Sequence, residues 1–406
     1  MSNNQLLSLA DEFGTPLFVY NADVMESQYN RLKNAFEGIN VNIQYACKAL
    51  NNQAVLKLFN SFGAGLDTVS IEEVKLGLMA GFKPERIIYT PNGVSFEEIQ
   101  EAVSLGVRVN IDNLVMLEKF GNTYGSSYPV CVRLNPHIVA GGNHKIQVGH
   151  IDSKFGISIH QMRHLTRIIE AYDIHVNGLH MHTGSDILDV GVFLKGTEIL
   201  LEAAFHFKEL EYIDFGSGFK VAYKPNDVST NIEELGEQLG AQFKDFCKEY
   251  GRELELAFEP GKFLVSESGT FLCKVNVIKQ TTATVFAGVD SGFNHFIRPM
   301  FYDSYHHITN TSNPDGPERI YTVVGYICET DTFAWDRKIS EIREDDVLAF
   351  HNAGAYVFAM SSNYNSRLRP AQVLLRKGKP FLITRRETME DLLRTQVEVP
   401  ELLGTE

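Results

Sequence analysis

Groups able to make or hold reactive bonds recur along this chain at Lys48, Asp67, Arg133, His182, the Gly216-Ser217-Gly218 turn and Glu259. Lys48 stands in Gln-Tyr-Ala-Cys-Lys-Ala-Leu, directly after the apolar alternation of residues 41–46, where a strand is expected to end and a loop to begin. A lysine attacks a carbonyl only after its ammonium has lost a proton, and a desolvated or cation-flanked setting favours that by lowering its pKa. His180 and His182, two apart, fall on one face of a strand. They offer a metal pair or, with no third ligand at sensible spacing, an imidazole that packs flat on a ring. Gly216-Ser217-Gly218 is a plain turn or a cradle of bare N–H groups for phosphate. Glu259-Pro260-Gly261-Lys262 sets an anion three residues before a cation, an ion pair of little worth if it lies at the surface.

These groups need a frame that gathers them. Runs rich in Val, Ile and aromatics at 41–46, 64–68, 86–90, 107–111, 129–134, 175–182, 210–215 and 253–259 read as strands, each followed by helical apolar spacing. The rhythm predicts an α/β fold, a (β/α)8 TIM barrel over residues 24–268, in preference to an open doubly wound sheet. Ser70-Ile-Glu-Glu and Ser95-Phe-Glu-Glu carry the capping-box pattern at helix starts, and Gly81 and Gly106 stand where those helices would stop. After residue 259 the rhythm changes. Strand-like runs at 270–279, 283–289, 321–327, 346–350 and 380–384 follow without long helices between them, predicting an all-β C-terminal domain of sandwich or barrel-like form. The strand-like residues 15–20 precede the barrel and are expected to join that domain. Residues 1–23 and 269–406 would then form one β domain, with boundaries near 22–25 and 265–270. Residues 310–317 read as a flexible loop. In such a barrel the loops after the strands meet at one mouth, so the reactive groups are all expected there.

Composition narrows the classes of function. A chain of 406 residues with 44% hydrophobic content has the volume for two domains. A net charge of −14 without a dense Lys/Arg run argues against nucleic acid and anionic membrane surfaces as partners. The start has no basic stretch followed by an apolar run, and no apolar run approaches the ~18 residues of a membrane-spanning helix. Cys47, Cys131, Cys247, Cys273 and Cys328 are scattered and never in C-x-x-C spacing. A reducing cytoplasm suits them better than a disulfide framework or a zinc site, and no metal is expected.

A reactive lysine, a carboxylate able to keep a pyridine nitrogen protonated, an imidazole to stack on a ring and a Gly/Ser anion loop together match the needs of pyridoxal 5′-phosphate. The ordered strings Y-A-C-K-A-L (45–50), G-A-G-L-D-T-V-S (63–70), V-R-L-N-P (132–136), S-K-F-G-I (153–157), H-M-H-T-G-S (180–185), D-F-G-S-G-F (214–219), E-P-G-K-F (259–263), I-R-P-M-F-Y (297–302), C-E-T-D (328–331) and G-A-Y (354–356) span nearly the whole chain. In them the sequence resembles the fold-type III pyridoxal-phosphate-dependent decarboxylases. The strings are weak one by one and specific as a set.

The resemblance implies that Lys48 forms the Schiff base with the cofactor, Glu259 bonds the pyridine nitrogen and His182 stacks on the ring. Ser185, Gly216, Ser217, Gly218 and Tyr356 would hold the phosphate, with Asp67 and Arg133 a charged pair near the imine. Arg298 and Tyr302 would grip a carboxylate at the far end of the substrate, which Lys262 and Tyr356 would also touch. Cys328, as proton donor, and Glu329, as partner for a distal ammonium, would enter from the second subunit of a homodimer. The implied reaction is decarboxylation of meso-2,6-diaminopimelate at its D-centre to L-lysine and CO2, the closing step of lysine biosynthesis. Cys328 and the freed Lys48 both remain candidates for returning a proton to the α-carbon. Carboxynorspermidine or another basic amino acid is the competing substrate; ornithine and arginine decarboxylases of this kind typically place acids where Arg298 stands. The alanine racemases share the barrel and the lysine, but their catalytic tyrosine pattern does not line up here. A silent binding homologue would be expected to lose Lys48 or Cys328, and both are present. One departure stands out: the family usually has arginine where this chain has Lys262, which keeps the charge and loses the bidentate fork.

Overall fold

The computed structural model describes residues 1–138, 153–182, 184 and 186–403. The chain divides into two compact units, one of residues 22–268 with 354–359 and one of residues 1–21 with 269–353 and 360–406.

In the first unit, Val41–Ala46, Gly65–Thr68, Ile87–Tyr89, Arg108–Ile111, Val130–Asn135, Val176–His180, Tyr212–Asp214 and Glu255–Phe258 run parallel, each pairing with the next. Glu255–Phe258 also pairs with Val41–Ala46, which closes the sheet on itself. The expected barrel is present, with strand ends moved by no more than two residues. The strands are buried nearly throughout because side chains fill the barrel inside and helices cover it outside. Helix starts follow the sequence signals. Ser70 Oγ accepts the Glu73 N–H at 3.2 Å while Glu73 Oε2 accepts the Val69 N–H at 2.8 Å, starting helix Ile71–Met79. Ser95 Oγ accepts the Glu98 N–H at 3.3 Å ahead of Phe96–Ser104, but there the Glu98 carboxylate turns to the Tyr89 hydroxyl. Gly81 and Gly106 follow these helices at φ +88° and +74°, a conformation that costs glycine nothing.

The helical ring closes where Ala22–Ala35, ahead of the first strand, meets Ile232–Tyr250. The approach is close: a Cβ on Gly236 would stand 2.1 Å from the Ala35 carbonyl oxygen.

The second unit is built on a nine-stranded mixed sheet. Leu17–Asn21 pairs antiparallel with Gly269–Gln280 and parallel with Ala371–Arg376, so the N-terminal strand does join the β unit. Helix Asn3–Phe13, absent from the sequence reading, lays Leu6, Leu9 and Ala10 against Leu17, Val19, Leu272 and Val373. Three strands of this unit were also not foreseen: the short Ile308–Asn310, Thr332–Ser340 and Ala371–Arg376. Thr332–Ser340 has its alternation broken at Asp336, whose φ of +46° lies in a stretch of shifted register, and Ala371–Arg376 is almost wholly buried and so shows no alternation. Residues 310–317 are tied down rather than loose. Asn310 Oδ1 accepts from the Ser312 and Asn313 N–H groups, and the Asn313 amide donates to the Glu341 carbonyl at 2.9 Å. No helix among the described residues is long and apolar enough to cross a membrane, and the five cysteines are free.

Replacing a mid-helix glycine by alanine ordinarily stabilises a helix by up to ~1 kcal/mol. At Gly236 the close backbone contact reverses that sign: Gly236→Ala should cost about 1–3 kcal/mol, read as a fall in the thermal midpoint of the barrel unit. A midpoint raised by the substitution would contradict this packing.

Candidate active site

A cavity of about 440 Å3, within the size range of small-molecule sites, opens at the C-terminal ends of the barrel strands. Lys48 sits on a single 3-10 turn, Cys47–Ala49, that follows the first strand. Asp67 lies in the second strand, Arg133 in the fifth, and His180 ends the sixth. Gly216, Ser217 and Gly218 follow the seventh strand, and Glu259 follows the eighth. Lys48, Asp67, Arg133, His182, Ser217, Gly218, Glu259, Lys262 and Tyr356 all line the cavity. Gly216 supports it from behind, its carbonyl accepting the Glu259 N–H at 2.7 Å. Ser185 lies outside the described residues.

The centre of the cavity is a short charged contact, Lys48 Nζ to Asp67 Oδ2 at 2.5 Å. Burial alone would lower the lysine pKa, as the sequence suggested. Asp67, Tyr356 and Glu259 together outweigh burial and raise it. The lysine is thus flanked by acids, which favour its protonated form. Burial and the nearby Glu259 in turn push the Asp67 carboxyl up, which makes it a ready acceptor for the proton Lys48 must shed. Asp67 is paired with Lys48 and makes no ion pair with Arg133. The Arg133 guanidinium lies 4.8 Å from the Phe155 ring centroid, and burial lowers its pKa.

Glu259 is buried and accepts from His180 Nε2 at 3.0 Å through Oε2. Burial would raise its pKa, but His180 and Lys48 prevail and hold it at about 2. Its second oxygen, Oε1, is buried and has no hydrogen-bond partner among the described residues. An ionised carboxylate that lines a cavity and has one oxygen uncommitted suits a donor such as a ring N–H⁺. His180, Asp214 and Glu259 do bring donor atoms within 4.8 Å of one another, but His180 Nε2 and Glu259 Oε2 are spent on each other. His180 therefore acts as the support of Glu259, a role the sequence spacing with His182 did not suggest.

His182 Nδ1 accepts the Ser217 N–H at 3.3 Å, and burial followed by the Arg133 charge hold the imidazole down at about 3, so it is neutral at ordinary pH. The turn beside it leaves no room for a side chain at either of its glycines. Gly216 sits at φ +64°, and a Cβ there would meet His182 Nδ1 at 2.7 Å; one on Gly218, at φ +109°, would meet the Gly184 oxygen at 2.3 Å. Asp214, buried at the strand end, accepts the Gly216 N–H at 2.8 Å and so fixes the start of this turn. Tyr356 also has a positive φ, +57°, and its N–H donates to Ala49 O at 2.9 Å, beside Lys48.

Lys262 Nζ contacts Asp186 Oδ1 at 2.5 Å. Nothing in the sequence marks this partner, which sits at φ +62° in the loop after the sixth strand. Asn92 and Phe155 also line the cavity without having been singled out. Arg298, Tyr302, Cys328 and Glu329 belong to the β unit. There Arg298 is buried at the start of helix Arg298–Tyr302, its guanidinium 5.7 Å from the Tyr302 ring centroid, while Cys328 and Glu329 are exposed.

Residues 22–266 match the pyridoxal-binding domain of the pyridoxal-dependent decarboxylases. The chain is 41% identical to the diaminopimelate decarboxylase of Methanothermobacter thermautotrophicus over 96% of its own length and 93% of that protein. It is 33% identical to that of Campylobacter jejuni over 94% and 96%. The crystal structure of diaminopimelate decarboxylase from Helicobacter pylori complexed with L-lysine superposes with a TM-score of 0.88 at 29% identity, covering 98% of this chain and all of that one. By the match across the barrel and the likeness along nearly its whole length, the chain belongs to the pyridoxal-dependent decarboxylases, among the diaminopimelate decarboxylases.

Proposed function

We propose that this chain decarboxylates meso-2,6-diaminopimelate at its D-centre to give L-lysine, using pyridoxal 5′-phosphate held in the barrel cavity. The observation that carries the cofactor is the pairing, in one cavity, of Lys48 against Asp67 with a buried, ionised Glu259 whose Oε1 is uncommitted. Bound there, the cofactor supplies an electron-poor ring conjugated to an imine, able to take up the electron pair left on the α-carbon when CO2 departs.

The chain's own residues have separable tasks. Lys48 Nζ provides the anchoring amine, and Asp67 Oδ2 takes the proton it gives up. Glu259 Oε1 would accept the ring N–H⁺ and so favour the protonated nitrogen, while His180 holds Oε2 in place. His182, neutral, offers a flat face and leaves its Nδ1 on Ser217. The Gly216–Gly218 turn, with Ser185 and Tyr356, would hold the phosphate, although the Gly216 and Ser217 N–H groups are given to Asp214 and His182. Arg133 would bring a buried cation to the imine end of the site, alongside the charges of Glu259 and Asp67. After CO2 leaves, Cys328 or the freed Lys48 returns a proton to the α-carbon.

Substrate choice rests on groups for the end remote from the chemistry. Meso-diaminopimelate presents an ammonium and a carboxylate there, which calls for an anion and a cation together; Glu329 and Arg298, with Tyr302 and Tyr356, supply that set. The likeness to diaminopimelate decarboxylases, one solved with L-lysine, favours this substrate over carboxynorspermidine. Lys262, committed to Asp186, serves as a point charge in place of the usual arginine. Because Cys328 and Glu329 lie in the β unit, we infer a homodimer with shared sites. Free cysteines support a cytoplasmic setting.

Incubation of the cofactor-loaded enzyme with meso-diaminopimelate should release equal amounts of lysine and CO2; turnover of ornithine or carboxynorspermidine alone would refute the substrate. Mixing Lys48→Ala with Cys328→Ala chains should restore activity to a fraction of the dimers, since one site in a mixed dimer is intact. Exchange of subunits without any recovery would rule out shared sites. The folded value of His182, about 3, lies below its ordinary 6.5, so its proton is lost well below neutrality. His182→Phe should therefore lower kcat/KM roughly fivefold, for ~1 kcal/mol of lost hydrogen bonding, without moving either limb of the rate profile between pH 6 and 9. A displaced limb would mean that the imidazole titrates during turnover.

A further inference from the structure

The loop that displays Cys328 and Glu329 is closed underneath by one buried carboxylate. Asp331 is 4% exposed. Its Oδ2 accepts the Ile327 N–H at 2.9 Å and its Oδ1 the Phe293 N–H at 2.6 Å, while its backbone oxygen accepts the Gly325 N–H at 2.7 Å. Two glycines make room for that carboxylate: a Cβ on Gly325 would fall 2.2 Å from Asp331 Oδ2, and one on Gly292 2.6 Å from it. The bond to Phe293 continues outward. The Phe293 ring stacks on Tyr364 at 5.4 Å, and the Tyr364 hydroxyl donates to Glu329 Oε1. Next to it, Asn365 Nδ2 donates to Cys328 Sγ at 3.2 Å, and the segment is tied back by the Ser362 N–H on Asn294 O at 2.7 Å. A closed circuit thus runs from Asp331 through Phe293 and Tyr364 to the tip that Asp331 also holds directly.

We propose that Asp331 is a positioning residue for decarboxylation, setting where Cys328 and Glu329 stand before either meets substrate. The proposal rests on the reading of Cys328 and Glu329 given above. Burial pushes the Asp331 carboxyl up to about 6 even against its two N–H donors. Its charge at neutral pH is therefore a net cost to folding, and what the charge secures is the geometry of the loop. Asparagine at this position keeps the shape but offers one acceptor oxygen where two N–H groups need one each, and its NH2 would face a donor. The chain through Tyr364 would loosen with it.

The test compares kcat/KM on meso-diaminopimelate for the cofactor-loaded wild type, Asp331→Asn, the pair Cys328→Ala/Glu329→Gln, and all three changes together. Acting through the tip, Asp331→Asn should cost at least tenfold in the wild type and less than twofold once both tip side chains are gone. Gly325→Ala, which crowds the same carboxylate at Oδ2, should give the same background-dependent loss and serves if the asparagine variant folds poorly. An equal loss in both backgrounds, or none in either, overturns the assignment of Asp331 alone. A Cys328→Ala/Glu329→Gln pair as active as the wild type removes the reading of the tip, and this proposal with it.

Discussion

Two carboxylates, Asp67 and Glu259, share the mouth of one barrel, and their mutual repulsion must be answered before any chemistry can occur there. The answer is local and unequal. Asp67 leans on the Lys48 ammonium at 2.5 Å, whereas Glu259 leans on the buried His180 ring at 3.0 Å. One acid is therefore placed to trade a proton with a lysine and the other to stay charged, although both are buried side chains of similar chemistry. Buried pairs of this kind add little to stability and lose much when one partner is removed, so the network is better regarded as a fixed electrostatic setting than as a brace. Everything else at the site serves to hold that setting. The closed sheet brings the second and eighth strands to either side of the first, and the tight glycine turn after the seventh strand presses on His182.

That closure explains why so much was legible beforehand. Strands buried on both faces give continuous apolar runs, helices between them announce themselves by caps, and in a barrel every strand end is also a site position. Lys48, Asp67 and Glu259 could thus be assigned to one mouth from their places after successive apolar runs. The charge state of Lys48 could not. Its pKa depends on Asp67 and Glu259 arriving from other strands and on Tyr356, which enters from far along the chain, so the local sequence suggested a lowered value where the assembled site raises it. The role of His180 was hidden for the same reason: its spacing pointed to His182, while its partner is Glu259.

The β unit was less transparent. Its strands mix buried, half-exposed and bulged stretches, and Thr332–Ser340, interrupted at Asp336, lost the alternation that would have marked it. The departure at Lys262 was visible, but its consequence was not. Asp186 satisfies the ammonium at 2.5 Å, so a point charge is held in place without the fork an arginine would bring. Local hydrogen bonding also governs the Cys328–Glu329 tip, whose supports lie on segments distant in sequence.

The central claim is that Lys48, flanked by acids, is the one amine of this cavity that carries the cofactor. Borohydride reduction of the enzyme loaded with pyridoxal 5′-phosphate, followed by mass mapping of its peptides, tests it directly. A single phosphopyridoxyl group on Lys48 is the predicted result. The group on Lys262 or another lysine with Lys48 unmodified, or no covalent label at all, would contradict it.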